Sequence, residues 1–255
     1  MTENNQQKNR SRIHFIDEVR GFAVILMVAY HAFYTIGYIF GLELGRFLFI
    51  FFTPAEAFFA GVFIFICGIS CRLSSNNLKR GALLLMVALA ITLILKIVLP
   101  DEVILFGILH FLAVSILLFV LLRPLLDRIH PIAGIVVCAA LLLVTWWVPE
   151  YKGGFFGVKG MLSWPVPDTL KQPLLFPLGF GDLQSSDYFP ILPWIFCFLG
   201  GSFVGVWAEH MQFPTWMYRS RVPFLSVIGR HALIIYIVHQ PAIYALCFII
   251  SKIIQ

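Results

Sequence analysis

A chain of 255 residues that is 60% hydrophobic and only 12% charged is not a water-soluble domain, in which about a quarter of the residues carry charge. Its net charge of +5 does not indicate a nucleic-acid partner, because in so apolar a chain lysine and arginine mainly set membrane orientation. Continuous apolar runs of about 20 residues, in place of short alternating ones, exclude a transmembrane β-barrel and predict an all-α polytopic membrane bundle.

Residues 1–13 read as a polar cytoplasmic tail, and residues 14–255 as a single transmembrane domain of about seven helices. The spans are expected over 15–40, 54–72, 80–99, 103–123, 131–149, 188–209 and 229–251. The breaks are polar or marked by proline: Thr53-Pro54, Ser74 to Arg80, Pro100 to Glu102, Arg123 to Pro131, and Phe213 to Arg230. The first run is too long for a signal-peptide core and is followed by no small-residue cleavage site, so it stays as a span. Trp146-Trp147 is a candidate interfacial stop for the fifth.

With the N-terminus inside, seven spans put 12 of the 18 basic residues on the cytoplasmic side, including Arg12, Arg20, Arg72, Arg123, Arg219, Arg221 and Arg230. That bias predicts a cytoplasmic N-terminus and an extracytoplasmic C-terminus. The longest connection, 150–187, then faces outward. It reads "KGGFFGVKGMLSWPVPDTL" and onward, rich in aromatics and poor in charge, and is expected to fold as a lid or re-entrant segment. Small size and the absence of targeting signals suggest the plasma membrane of a prokaryote. The five cysteines (67, 71, 138, 197 and 247) have no paired spacing and read as small core residues.

The stretch "IDEVRGFAVILMVAYH" (16–31) carries the strongest chemical signal. Eleven residues are three helical turns plus about 20°, so Arg20 and His31 share one face about 16 Å apart along the axis. Asp17 lies one turn below Arg20. Each residue alone has an ordinary reading: Arg20 as a snorkelling anchor, His31 as a hydrogen-bonded interhelical histidine. Together they suit a ligand that enters from the cytoplasm and ends at His31. His110 in "FGILHFLAV" and His239 in "YIVHQPAI" reach comparable depths, and three buried imidazoles suggest a polar cavity. Their spacings match no metal-ligand motif, so no metal is expected. His14, His130 and His210 sit at span ends, and His231 adjoins Arg230 at the cytoplasmic end of the cavity. Asp187, at the start of "DYFPILPW", is either the N-cap of the sixth span or a carboxylate for a substrate amine or hydroxyl. Glu56 has the same two readings.

"IDEVRGFAVILMVAYH", "FFAGVFIFICGIS", "FGILHFLAV", "DYFPILPWIFCFLGG" and "IGRHALIIYIVHQP" resemble, in order, segments of the heparan-alpha-glucosaminide N-acetyltransferase catalytic-domain family. The Arg20–His31 spacing is also similar to that of the acyltransferase-3 family of envelope O-acetyltransferases. Both resemblances imply transfer of an acyl group from cytoplasmic acetyl-CoA to a sugar-type acceptor, an amino sugar or envelope glycan, across a membrane. They also imply a homodimer. In the animal lysosomal enzymes the proposed catalytic histidine follows the first span. Here that loop, "GLELGRFLFIFFTPAEAF", has none, so His31, which matches the acyltransferase-3 histidine, is the candidate general base.

On this reading Arg20, Arg230 and Arg72 meet the phosphates of acetyl-CoA, since guanidinium binds phosphate bidentately. Asp17 and His239 belong to the same binding region, and His110, His239 and Asp187 are candidates to orient the base or hold the acceptor. The alternative is a histidine-lined transporter or solute-binding membrane protein, which the lack of an internal repeat and the cytoplasmic arginines disfavour.

Overall fold

A computed structural model describes residues 12–149, 154–158, 161–180 and 185–254. Most of the polar tail, Lys152 and Lys159 lie outside the described residues. Eight α-helices follow in order among them: α1 His14–Tyr34, α2 Glu43–Leu73, α3 Asn77–Val98, α4 Ile108–Leu126, α5 Pro131–Thr145, α6 Ile191–Glu209, α7 Pro223–Arg230 and α8 Ala232–Ile254. Six of them are long and apolar enough to cross a membrane, with α1 extended to Ile39 by a π-helical turn. The all-α polytopic class therefore holds. Leu121, Ile97 and Phe58 project outward, as lipid-facing side chains do.

Three expected spans differ in detail. The second begins eleven residues earlier, at Glu43, because Pro54 sits inside a 31-residue helix. Apolar sequence on both sides carries the helix through the one donor that proline lacks. The fourth starts at Ile108, after a 3-10 turn at Pro100–Glu102 and an extended stretch in which Phe106 bridges to Tyr188. The fifth is only 15 residues long and stops at Thr145, directly before Trp146-Trp147. At about 1.5 Å per residue it spans roughly 22 Å, short of a bilayer core of about 30 Å.

The chain divides into two compact units, one of residues Met1–Phe63 with Met211–Gln255 and one of Ile64–His210. In the first, α1 packs along α7 and against α8. α7 was not expected. Eight residues long, with Pro223 at its start, it makes backbone contact with α1. A Cβ at Gly21 would collide with the Leu225 carbonyl, and one at Gly229 with the Asp17 carbonyl. Close approach through small residues is how helices pack where lipid supplies no hydrophobic drive.

Glu18 fixes the entry to α7. Its Oε1 accepts hydrogen bonds from the backbone N–H groups of Arg221 (2.7 Å) and Val222 (2.9 Å) and from the Ser220 hydroxyl (3.0 Å). Glu18 is only 6% exposed, and its removal takes from three donors the charged acceptor they share. Glu18→Leu is expected to lose about 2–4 kcal/mol of stability, and Glu18→Gln, which keeps an acceptor oxygen, clearly less. Unfolding titrations in mixed detergent micelles measure both.

In the second unit α3 packs on α4, and α5 on α6. Its core holds Ile64, Phe111, Ile116, Phe119 and Phe198. The last turns of α2 cross α6 at backbone contact, with Gly68 against the Phe198 carbonyl and Gly201 against the Phe65 carbonyl. The long connection after α5 has order of its own. An antiparallel hairpin pairs β1 (Phe155–Val158) with β2 (Leu162–Pro165), and 3-10 turns follow at Asp168–Leu170 and Pro173–Leu178. Tyr188 closes it, donating to the Phe176 carbonyl (2.7 Å) and stacking on the Phe176 ring. Burial pushes the Tyr188 phenol up, which keeps it a donor.

Candidate functional site

The continuous α-helix from His14 to Tyr34 makes the three-turn relation of Arg20 and His31 a structural fact. At the Arg20 end, Asp17 is buried and accepts from Arg12 Nε (2.6 Å) and Arg20 (3.0 Å). The Gly229 contact with the Asp17 carbonyl brings the last turn of α7 to the same end of α1, and Arg230 follows it with an exposed side chain. Arg221 lies there too, stacked over the Trp216 ring, which itself meets Phe15 edge-on. Arg12, Arg20, Arg221 and Arg230 thus gather at the end of α1 that holds the buried carboxylates Asp17 and Glu18, both already hydrogen-bonded. The group carries a net positive charge.

At the other end of α1, the His31 ring lies 5.0 Å from that of His239 on α8. Thr35, one turn on, donates to Gln240 (3.2 Å) and fixes the register of the two helices. The first turns of α2 wall this region with aromatics. Phe49 stacks on Tyr30 at 4.7 Å, and Thr53 lies 3.4 Å from the Tyr30 hydroxyl. Arg46 donates from Nε to the Gly37 carbonyl (3.0 Å) where α2 passes the π-helical turn.

Arg72, His110 and Asp187 belong to the second unit. Arg72 is 3% exposed, donates to the Ser202 carbonyl (3.1 Å), pairs with Asp127 and lies over the Phe119 ring. Its guanidinium is enclosed, unlike that of Arg230. Asp187 does cap a helix, though not the one that follows it. Its Oδ2 accepts from the Ile108 N–H (3.0 Å) at the start of α4, while α6 has Pro190 at its N-cap position and no side-chain cap. His110 is buried with its Nε2 3.2 Å from the Thr92 hydroxyl. Thr92 spends its own proton on the Ile104 carbonyl (2.6 Å), so His110 Nε2 is the donor. These partners hold α3, α4 and the end of the long connection before α6 together.

The profile of the heparan-alpha-glucosaminide N-acetyltransferase catalytic family matches residues 12–241. The chain belongs to that family. The match runs from Arg12 to Pro241 and so takes in the arginine cluster, His31 and His239, along with the second-unit residues. No curated protein and no solved structure matches the chain. Membership in the N-acetyltransferase family makes the chain a multi-pass membrane acetyltransferase in broad class. Among the described residues no three His, Cys, Asp or Glu side chains stand close enough to hold a metal.

Two features of the site had no sequence expectation. Glu18 read only as one of two boundary acids, yet it is the anchor of α7. Arg221 and Arg219 were counted for orientation, yet the Glu18 clamp holds their segment beside Arg20. A signal was present in the acid pair Asp17-Glu18 at the start of an apolar run, since a carboxylate there needs a partner.

Proposed function

We propose that this family member moves an acetyl group from cytoplasmic acetyl-CoA to an amine or hydroxyl of a sugar-type acceptor on the far side of the membrane, with His31 as general base. One observation carries the reading. A single unbroken helix holds an arginine cluster at one end and an imidazole about 16 Å away on the same face, a length suited to the thiol-bearing arm of coenzyme A. Arg20 and Arg230 bind the donor's phosphates, since guanidinium groups match phosphate oxygens bidentately. The basic bias of the inner loops supports this sidedness, and the family likeness supports a homodimer.

His31 takes the proton of the acceptor N–H or O–H as that heteroatom attacks the thioester carbonyl carbon. The C–S bond breaks, and the thiolate leaves with the proton His31 returns. An imidazole can take a proton and return it in turn, as both steps require. A ternary complex needs only proximity and no acetyl-enzyme.

Thermal unfolding of the purified protein in detergent tests the donor. At 100 times its Kd, acetyl-CoA adds about 2.7 kcal/mol to the folded state. The native protein is expected to show this gain and Arg20→Ala to lose most of it at the same concentration. If millimolar acetyl-CoA leaves the folded native protein unmoved, the donor assignment fails, and solute flux in proteoliposomes becomes the next measurement.

A further inference from the structure

His239 has its tautomer set by its own helix. Nδ1 lies 2.6 Å from the Tyr236 carbonyl oxygen. A carbonyl only accepts, so Nδ1 carries the proton and Nε2 of the neutral ring carries a lone pair. That Nε2 is buried, in a side chain 7% exposed, and has no hydrogen-bond partner among the described residues. A buried acceptor left unmet is costly, and such an atom marks a place where a partner arrives.

The nearest imidazole is that of His31, with ring centroids 5.0 Å apart and planes at 48°. An N–H···N bond of about 2.9 Å between two imidazoles places their centroids about 5 Å apart. The distance between the rings is therefore already that of such a bond. The Thr35–Gln240 hydrogen bond, one turn past His31 and next to His239, ties the two helices together at this spacing. No third His, Cys, Asp or Glu joins the two rings to complete a metal-binding group among the described residues.

We propose that His239 is the positioning residue of the acetyl transfer: its Nε2 accepts the N–H of His31, which leaves the other His31 nitrogen deprotonated and aimed at the acceptor. The proposal rests on His31 being the base. In the transfer, the acceptor's proton goes to that free nitrogen and from there to the departing thiolate. The proton shared between the two rings stays with His31 throughout, and His239 stabilises the transient imidazolium. An orienting partner of this kind acts on kcat and not on donor binding.

The test combines nitrogen-15 spectra of histidine-labelled protein in detergent with thiol release from acetyl-CoA, using glucosamine as the acceptor probe. In the native spectrum the His239 Nε2 signal is expected to be that of a hydrogen-bonded acceptor, and to revert to an unbonded one in His31→Leu. His239→Leu is expected to lower kcat by about 10²-fold with the KM for acetyl-CoA unchanged. His239→Gln restores most of that loss, since its amide oxygen accepts. The double variant His31→Gln with His239→Leu is expected to be no slower than His31→Gln alone. An Nε2 signal indifferent to residue 31 overturns the pairing, as does equal activity of His239→Leu and His239→Gln. Native thiol release by His31→Gln instead overturns the base itself. An inactive His31→Gln beside an undiminished His239→Leu leaves the base standing and removes only its partner.

Discussion

His31→Gln is expected to lower acetyl transfer by about 10³-fold while acetyl-CoA still stabilises the folded protein nearly as in the native chain. The two readouts separate because the helix separates the two ends. In the proposed function donor affinity resides at the arginine cluster around Arg20, and the imidazole stands three turns away on the same helix. Glutamine is close in size to histidine and can hydrogen-bond, so packing against Tyr30 and His239 changes little, but an amide cannot take a proton near neutral pH. Loss of both transfer and acetyl-CoA stabilisation places His31 in donor binding. Loss of neither returns the chain to the transport reading.

How much of this was open to reading varies with the distance in sequence between partners. The Arg20–His31 stripe needs only helical periodicity over eleven residues, and it stands. Continuous apolar runs located six long helices, while proline at 54 and the Trp146-Trp147 pair show the limits of punctuation. A proline is overridden where apolar sequence continues on both sides, and the helix does stop directly before the paired tryptophans. Contacts between distant segments left little trace. Asp187 caps α4 from 79 residues away, and nothing local separates that from capping the helix it precedes. Arg72 looks like any arginine at a span end until Asp127, 55 residues on, encloses it. The Glu18 clamp engages backbone amides, which have no residue signature at all. His31 and His239 come from opposite ends of the chain, and only the packing of α1 on α8 makes them neighbours.

The adjacent glycines of "FLGGS" are expected to respond in opposite ways to the same change. At Gly201 an added Cβ would strike the Phe65 carbonyl oxygen, its carbon and the Phe65 Cα at once. These are backbone atoms of the α2 helix and cannot rotate away, so Gly201→Ala forces α2 and α6 apart. The cost spreads along the crossing, because Gly68 makes the reciprocal contact with the Phe198 carbonyl. Phe119, Phe198 and Ser202, all fully buried near it, lose their packing. A loss of about 3 kcal/mol or more is expected. At Gly200 the same methyl meets only the Cys138 Cβ and the Phe65 ring, both at 3.7 Å, which is ordinary contact. Alanine is there the better helix former by about 1 kcal/mol, so Gly200→Ala is expected to be neutral or stabilising. Unfolding of both variants in mixed micelles decides it. Equal losses would mean that composition, and not the α2–α6 backbone contact, governs the pair. A stable Gly201→Ala would mean that the two helices do not approach this closely.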